Sequence, residues 1–325
     1  MVAFRCRLPV VLAIALLVFG NEIGRADGPA TTQASRPRVA IISIDGLRPD
    51  LALRAEMPNL RALMRHGAFS FWARTTEMSV TLPSHVSMLT GVVPERHGVL
   101  WNDNANLGYP LVTTIFELAK SAGLTTAMVT GKSKFAAIAR PGSVDWSFLG
   151  DEARDDDAAV AARAANVVCE HGPDVLFVHL ANVDKFGHAL GWGTAEQLAA
   201  INRADAALGM ILAALGEDGT SRPTTVIVSA DHGGSGRQHG PDDARSRHIP
   251  WIISGPGIQK DVDLTRYREL TINTEDTFAT VCVILGIPLP EGIDGKPVAQ
   301  AFVQTELMTT AAAPATQPGP GPAPE

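Results

Sequence analysis

Four places in this 325-residue chain set aspartate or histidine just behind a short apolar run. They are Asp45-Gly46 after Val39 to Ile44, Asp184 with His188 after Val175 to Leu180, Asp231-His232-Gly233-Gly234 after Val226 to Ala230, and His239-Gly240 shortly beyond. Carboxylate oxygen together with imidazole nitrogen suits Zn2+ or a similar borderline divalent cation, whereas Mg2+ or Ca2+ would lean on oxygen alone. Any one of these aspartates could cap a helix, and any one histidine could sit satisfied in a core; their joint placement is what favours ligation. Asp184 and His188 lie four apart, so a helical turn puts both on one face. Asp231 and His232 are adjacent, so in a loop leaving a strand they point in different directions and can serve two ions. Two divalent cations are therefore expected, with glycines behind the ligands allowing close backbone approach.

The segment Met78-Ser79-Val80-Thr81-Leu82-Pro83-Ser84-His85 runs on to Thr90-Gly91, with Pro near the start of an expected helix and Gly at its end. Thr81 then falls at the helix N-terminus, where free N–H groups and the dipole favour anions. A hydroxyl there can hold a phosphoryl group once deprotonated. The same residue could also be a plain N-cap threonine.

The elements that must position these residues are legible as well. Apolar runs at Val39 to Ile44, Ala127 to Thr130, Val175 to Leu180, Val226 to Ala230 and Ile249 to Ile253 read as buried parallel strands. They alternate with helical patterns, the clearest being Thr194 to Leu215, with Thr194 and Gln197 as a capping box and Leu198, Ile201, Leu208, Ile211 and Leu215 as an apolar stripe. Alternation of this kind means an α/β sandwich, in which chemistry lies outside the carboxyl ends of the strands.

Composition bounds the rest. The chain is 46% hydrophobic and 19% charged, with mean hydropathy +0.10 and formal charge −7, the profile of a folded protein with no basic surface for a nucleic-acid duplex. Residues 1–26, with Arg5 and Arg7 before the run Leu8 to Phe19, read as a signal peptide, and the chain is expected to be exported. Twelve apolar residues are too few to span a ~30 Å hydrocarbon core, and no later segment is expected to be long enough either. Loss of this leader removes Arg5, Arg7, Arg25 and Glu22 and leaves a charge of −9. Residues 27–37 read as a flexible linker, 38–303 as a single catalytic domain and 304–325 as a Pro/Ala-rich disordered tail. Cys169 and Cys282 lack metal-type spacing; they could pair, although two independent buried thiols are the commoner case.

On these residues the chain resembles the type I phosphodiesterase/nucleotide pyrophosphatase branch of the alkaline phosphatase superfamily, over roughly residues 38 to 256. The matching motifs are Asp45-Gly46, Thr81-Leu82-Pro83-Ser84-His85, Asp184 to His188, Asp231-His232-Gly233 and His239-Gly240. The resemblance implies an alkaline-phosphatase-like three-layer α/β/α sandwich with a central, mostly parallel sheet. It implies two zinc ions, one on Asp184, His188 and His239 and the other on Asp45, Asp231, His232 and the Thr81 oxygen. It further implies Thr81 as nucleophile of a threonyl-phosphate intermediate, Asn102 as a phosphate-binding residue that assists it, and structural roles for His85 and His97. The substrate would be a small phosphorylated molecule. Only six residues, Gly233 to Gln238, separate the third motif from the fourth where the nucleotide pyrophosphatases carry a long insertion, so the pocket is expected to be more open and His248 competes with His239 as the last ligand. Gly131-Lys132-Ser133-Lys134 resembles the paired cationic residues of phosphonoacetate hydrolase and the threonine-dependent phosphatases. Lys132 and Lys134 are thus candidate substrate-binding residues for a phosphomonoesterase or phosphonate hydrolase, or else solvated lysines of an exposed loop. A non-catalytic phosphate or nucleotide binder is a third reading. A sulfatase is disfavoured because no Cys/Ser-x-Pro-x-Arg segment is present.

Overall fold

The seven residues of β1, Arg38–Ile44, are buried without exception, which requires a strand covered on both faces. In the computed structural model, which describes residues 36–303 apart from 107, 218–221 and 241–242, it sits in the middle of an eight-stranded sheet. The leader and the tail lie outside the described residues. The first half of the chain continues with α1 (Pro49–Arg54), α2 (Pro58–Arg65), β2 (Gly67–Arg74), α3 (Thr81–Thr90), α4 (Pro94–His97), α5 (Ile115–Ser121), β3 (Thr126–Thr130) and β4 (Trp146–Leu149). There follow α6 (Asp157–His171), β5 (Val175–Leu180), α7 (Asn182–Leu190), α8 (Ala195–Glu217), β6 (Thr224–Ser229), α9 (Ala244–Arg247), β7 (His248–Ser254), β8 (Val262–Asp263) and α10 (Asp276–Leu285).

The strand order is β4-β3-β5-β1-β6-β7-β2-β8, and the five strands from β4 to β6 are parallel. The helices form two packed groups, α1, α2, α6, α7 and α8 in one and α3, α4 and α10 in the other, giving the outer layers of an α/β/α sandwich. Each wholly buried Val, Ile, Leu or Phe side chain in this core stabilises it by roughly 1.5–3 kcal/mol. The register aligns Thr130, His179, Ser43 and Ser229 in one row across β3, β5, β1 and β6, a polar row directly beneath the carboxyl edge.

Two expectations need correcting. The Ile249 to Ile253 run is a strand, but β7 is antiparallel to both β6 and β2. A parallel strand needs a crossover that returns the chain to the other edge of the sheet. Here Asp231, His232 and His239 all lie at the carboxyl edge, and α9 leads from there into β7, so β7 starts where β6 ends. Second, α8 is long and apolar enough, by length and composition, to cross a membrane. Half of that window is buried, with Ile201, Ala204, Leu208, Ile211 and Leu215 inside, because α8 packs against α2, α6 and α7. The capping box of α8 forms by halves: Thr194 Oγ1 accepts from Gln197 N, while Gln197 Oε1 accepts from Gly193 N. Cys282 is a free buried thiol, so it does not pair with Cys169.

Candidate active site

Thr81 opens α3 after an extended Val80, and Gly91 closes the helix in the left-handed conformation at φ 74°. Ser79, two residues earlier, also holds a positive φ of 47°. A non-glycine residue there costs on the order of 1–3 kcal/mol, so the turn that presents Thr81 is strained. Buried His85 braces it. Its Nδ1–H donates to Thr81 O at 2.7 Å, and its Nε2 accepts from Ser43 Oγ at 2.8 Å. Burial, with the neighbouring His179, holds the His85 pKa far below its ordinary value and so keeps the ring neutral.

The carboxylates converge from three strand ends. Asp45 follows β1, Asp231 follows β6, and Asp184 lies in the first turn of α7 behind β5. Each spends one oxygen on the protein. Asp45 Oδ2 accepts from His179 Nε2 at 2.9 Å and from Lys132 Nζ at 2.7 Å, Asp184 Oδ2 takes the same Lys132 Nζ at 2.7 Å, and Asp231 Oδ1 accepts from Gly46 N at 3.1 Å. The other oxygens, Asp45 Oδ1, Asp184 Oδ1 and Asp231 Oδ2, are buried without a hydrogen-bond partner.

The histidines show the complementary arrangement. Nδ1–H donates to a backbone carbonyl in each: His188 to Arg237 O at 3.0 Å, His232 to Gly233 O at 2.8 Å and His239 to Ser79 O at 2.7 Å. That tautomer turns an Nε2 lone pair inward, as in metal-ligating histidines whose other nitrogen is held by a carbonyl. His232 Nε2 thus faces Asp231 Oδ2 at 3.2 Å, Asp45 Oδ1 at 3.4 Å and Thr81 Oγ1 at 3.3 Å, and His188 Nε2 faces Asp184 Oδ1 at 3.3 Å. Lone pairs in such contact repel unless a cation or a proton lies between them. Two groups have ligand atoms mutually within 4.8 Å: Asp45, Asp231 and His232, and Asp184, His232 and His239. The donors fit a bound divalent cation in each.

The charges follow from this packing. Burial pushes the Asp45 carboxyl up, but the Lys132 ammonium and the His179 bond outweigh it and hold the group well below the usual carboxylate range. Asp184 is also lowered, with Lys132 and then His188 prevailing over burial and the Asp45 charge. Asp231 has no such cation, and burial plus the charges of Asp45 and Asp184 push it well above the usual range. Burial lowers Lys132, yet its carboxylates more than compensate and raise it well above its ordinary value. Burial, with the neighbouring His232, lowers His239 to about 4, whereas the Asp184 carboxylate beside it raises His188.

Around Thr81, Asn102 Oδ1 accepts from Leu82 N at 3.0 Å and from Lys134 Nζ at 3.1 Å, and Lys134 also reaches Asn102 O at 2.9 Å. With Oδ1 saturated, the Nδ2 end is left to donate. His97, held neutral near a pKa of about 4 by burial, bonds Pro83 O and accepts from Val99 N, pinning the segment that carries Asn102 to α3. A cavity of about 390 Å³ lies alongside, lined among others by Asn104, Lys132, Lys134, Glu152 and Lys185.

The structure therefore brings together Asp45, Thr81, Asp184, His188, Asp231, His232 and His239, and it places Asn102 and Lys134 beside Thr81. Asp231 and His232, expected to diverge, fall in one group with Asp45, while His232 also belongs to the second. His188 stays beside Asp184, but His232 rather than His188 completes the group with His239. The short link suffices: Ser235 and Gln238 exchange backbone hydrogen bonds in a tight turn, and His239 stacks on His232 with ring centroids 3.8 Å apart. His248 starts β7 instead, its ring 4.2 Å from exposed Trp72. Sequence reasoning missed His179, although a single histidine inside the otherwise apolar β5 was the available signal. It also missed that Lys132 turns inward onto carboxylates rather than outward.

The mostly parallel sheet with a histidine and carboxylate cluster at its carboxyl edge defines an alkaline-phosphatase-like α/β domain. The chain matches the type I phosphodiesterase / nucleotide pyrophosphatase family over residues 39–242, and it belongs to that family. It is 26% identical over 217 residues to ectonucleotide pyrophosphatase/phosphodiesterase family member 3 of Mus musculus, an alignment covering 61% of this chain and 25% of the relative. To the bis(5'-adenosyl)-triphosphatase enpp4 of Xenopus laevis it is 35% identical over 75 residues, covering 23% of this chain and 17% of the relative. The chain thus spans about a quarter or less of these two relatives. Among solved structures, murine ectonucleotide pyrophosphatase / phosphodiesterase 5, an inactive variant in complex with AMP, superposes with TM-score 0.67 at 15% identity over 79% of this chain and 97% of that one. The phosphonate monoester hydrolase of Silicibacter pomeroyi superposes with TM-score 0.63 at 16% identity over 87% of this chain and 78% of that one.

Proposed function

We propose that the protein is an exported phosphoric ester hydrolase of phosphodiesterase/nucleotide pyrophosphatase type that works with two divalent cations, zinc by its mixed oxygen and nitrogen donors, through a threonyl-phosphate intermediate. One observation carries this reading: three buried carboxylate oxygens without partners face histidine nitrogens whose tautomers leave lone pairs turned toward them, beside the Thr81 hydroxyl. Asp45, Asp231 and His232 would hold one ion, and Asp184 and His239 the other with His188 and His232 at hand. Bound there, the ions would supply Lewis acidity to lower the pKa of the Thr81 hydroxyl and to stabilise the departing oxygen.

The chain's own groups carry the remaining steps. Thr81 Oγ1 attacks phosphorus, forming the Thr81–phosphoryl bond as the bond to the leaving oxygen breaks. Asn102 Nδ2 and the Thr81 backbone N–H donate to the equatorial oxygens as negative charge grows on them. Water then attacks the same phosphorus and releases Thr81. Strain at Ser79 and the His85 brace hold Thr81 in one orientation, which limits the reorganisation needed for attack. Export rests on the leader pattern of residues 1–26.

Thr81→Ala tests the assignment: turnover on bis-p-nitrophenyl phosphate should be abolished with zinc content unchanged. Full activity in that variant would refute the nucleophile, and tight ligand binding by the wild type without hydrolysis at stoichiometric zinc would favour a non-catalytic binder. The cavity beside Asn102 with Lys134 and Lys185 on its wall favours one second reading, a hydrolase of phosphomonoesters or phosphonates, because added cationic groups complement a dianion. The ratio of rates on bis-p-nitrophenyl and p-nitrophenyl phosphate separates the two.

A further inference from the structure

Trp192 follows α7, is 8% exposed and belongs to the apolar core, and its ring also lies against the site. Its backbone N–H donates to Gly236 O at 2.7 Å and its indole Nε1–H to Gly46 O at 2.9 Å. The ring meets His188 edge-on at 5.2 Å between centroids, and His239 at 6.2 Å. It also fills space that three glycines leave open. A Cβ on Gly234 would come 2.3 Å from the indole, one on Gly187 2.7 Å and one on Gly46 3.2 Å. Gly187 and Gly234 do not hold a positive φ, so at these two positions the indole alone forbids a side chain.

Each of these glycines adjoins a candidate ligand: Gly46 follows Asp45, Gly187 precedes His188, and Gly234 is two residues beyond His232. One rigid ring thus packs between three chain segments, the turn after β1, the end of α7 and the loop after β6, whose direct ties are the Gly46 N–Asp231 Oδ1 and His188 Nδ1–Arg237 O hydrogen bonds. Close-packed interiors transmit such spacing because they deform little.

We propose that Trp192 is a positioning residue of the two-cation site, the wedge that holds the Asp184–His188 helix and the His232–His239 loop at the spacing cation binding requires. The inference rests on the two-cation reading above. It also accounts for glycine at 187, next to His188, and at 234, two residues beyond His232.

The test measures zinc binding rather than turnover. Chelator-stripped full-length wild type, W192F, G187A and the double variant are titrated with zinc against a chromophoric competitor, with circular dichroism and melting followed on the same samples. Changes in the groups that orient metal ligands typically cost 10–100-fold in affinity. W192F should therefore lose about 10–100-fold in affinity for at least one ion with its dichroism unchanged, and G187A should lose a similar factor by pushing the indole aside. An Ala methyl at 187 would strike the indole at Cδ2, Cε2 and Cζ2 alike, so the two changes disturb one shared contact and the loss in the double variant should fall at least about tenfold short of the product of the single losses. Wild-type zinc affinity in folded W192F and G187A, even with a lower melting temperature, would show mere packing and overturn the proposal. Failure of wild type to bind two zinc ions would instead overturn the reading beneath it.

Discussion

Replacing Lys132 by Met removes the ammonium that spans Asp45 and Asp184 while keeping an unbranched side chain of similar length. In the metal-free protein that ammonium lies 2.7 Å from Asp45 Oδ2 and 2.7 Å from Asp184 Oδ2, on a residue 5% exposed, with Glu152 Oε1 at 3.7 Å. Without it, Asp45, Asp184 and Asp231 face one another with no ammonium among them. Breaking a buried pair by removing one partner costs about 3–5 kcal/mol. At roughly 2–4 °C per kcal/mol for a domain of this size, metal-free K132M should melt about 6–20 °C below metal-free wild type. Two divalent cations would return positive charge to the same carboxylates, so zinc should raise the melting temperature of the variant by more than it raises that of wild type. Calorimetry on both proteins at pH 8, with chelator and with excess zinc, gives the four temperatures needed. A metal-free K132M melting within 2 °C of wild type, or a deficit of equal size with and without zinc, would refute the argument that Lys132 balances the carboxylates.

Three other outcomes are expected. His239→Ala should lower zinc affinity at least about 100-fold, beyond the range of outer-shell changes, whereas His248→Ala should leave it within about twofold, as competition titration would show. Lys134→Ala frees the Asn102 amide and should lower kcat/KM about tenfold at constant zinc content, the loss of one charge-assisted bond of roughly 1.5 kcal/mol; unchanged steady-state kinetics would dismiss that role. Asp157, whose Oδ1 accepts from Asn182 N while Oδ2 is buried without a partner, is pushed up to about 7 by burial. Below about pH 4 it is protonated in folded and unfolded chains alike; as pH rises to about 7 only the unfolded chain ionises, so stability falls by on the order of 4 kcal/mol and the whole deficit is present above pH 7. Asp157→Asn removes that titration and should therefore melt higher than wild type at pH 8 and no higher at pH 4, and a variant less stable at pH 8 would contradict this sign.

What could be read from residues alone was set by short-range rules. Asp184 and His188 meet because four residues make about one helical turn, and Thr81 begins α3 because Pro83 suits an early helical position and Gly91 accepts the left-handed conformation that ends it. Mostly apolar, buried strands such as β1 and β5 announce themselves by composition, whereas β2, β4 and β8 are peripheral, half-exposed or very short, and their patterns do not stand out. The direction of β7 was not legible, because it depends on which edge of the sheet the chain has reached when β7 begins.

The chain's local order, then, determined which residues carry chemistry and that strand ends would present them, since periodicity and turn propensity act within a few positions. Tertiary structure decided how they are paired. His232 sits between both ligand groups, Lys132 turns onto two carboxylates 87 and 52 residues away, His179 reaches Asp45, and Trp192 packs against Gly187 and the distant Gly46 and Gly234. Such contacts depend on strand order and on the volume available once the sheet has closed, and neither is encoded in the spacing of any one segment.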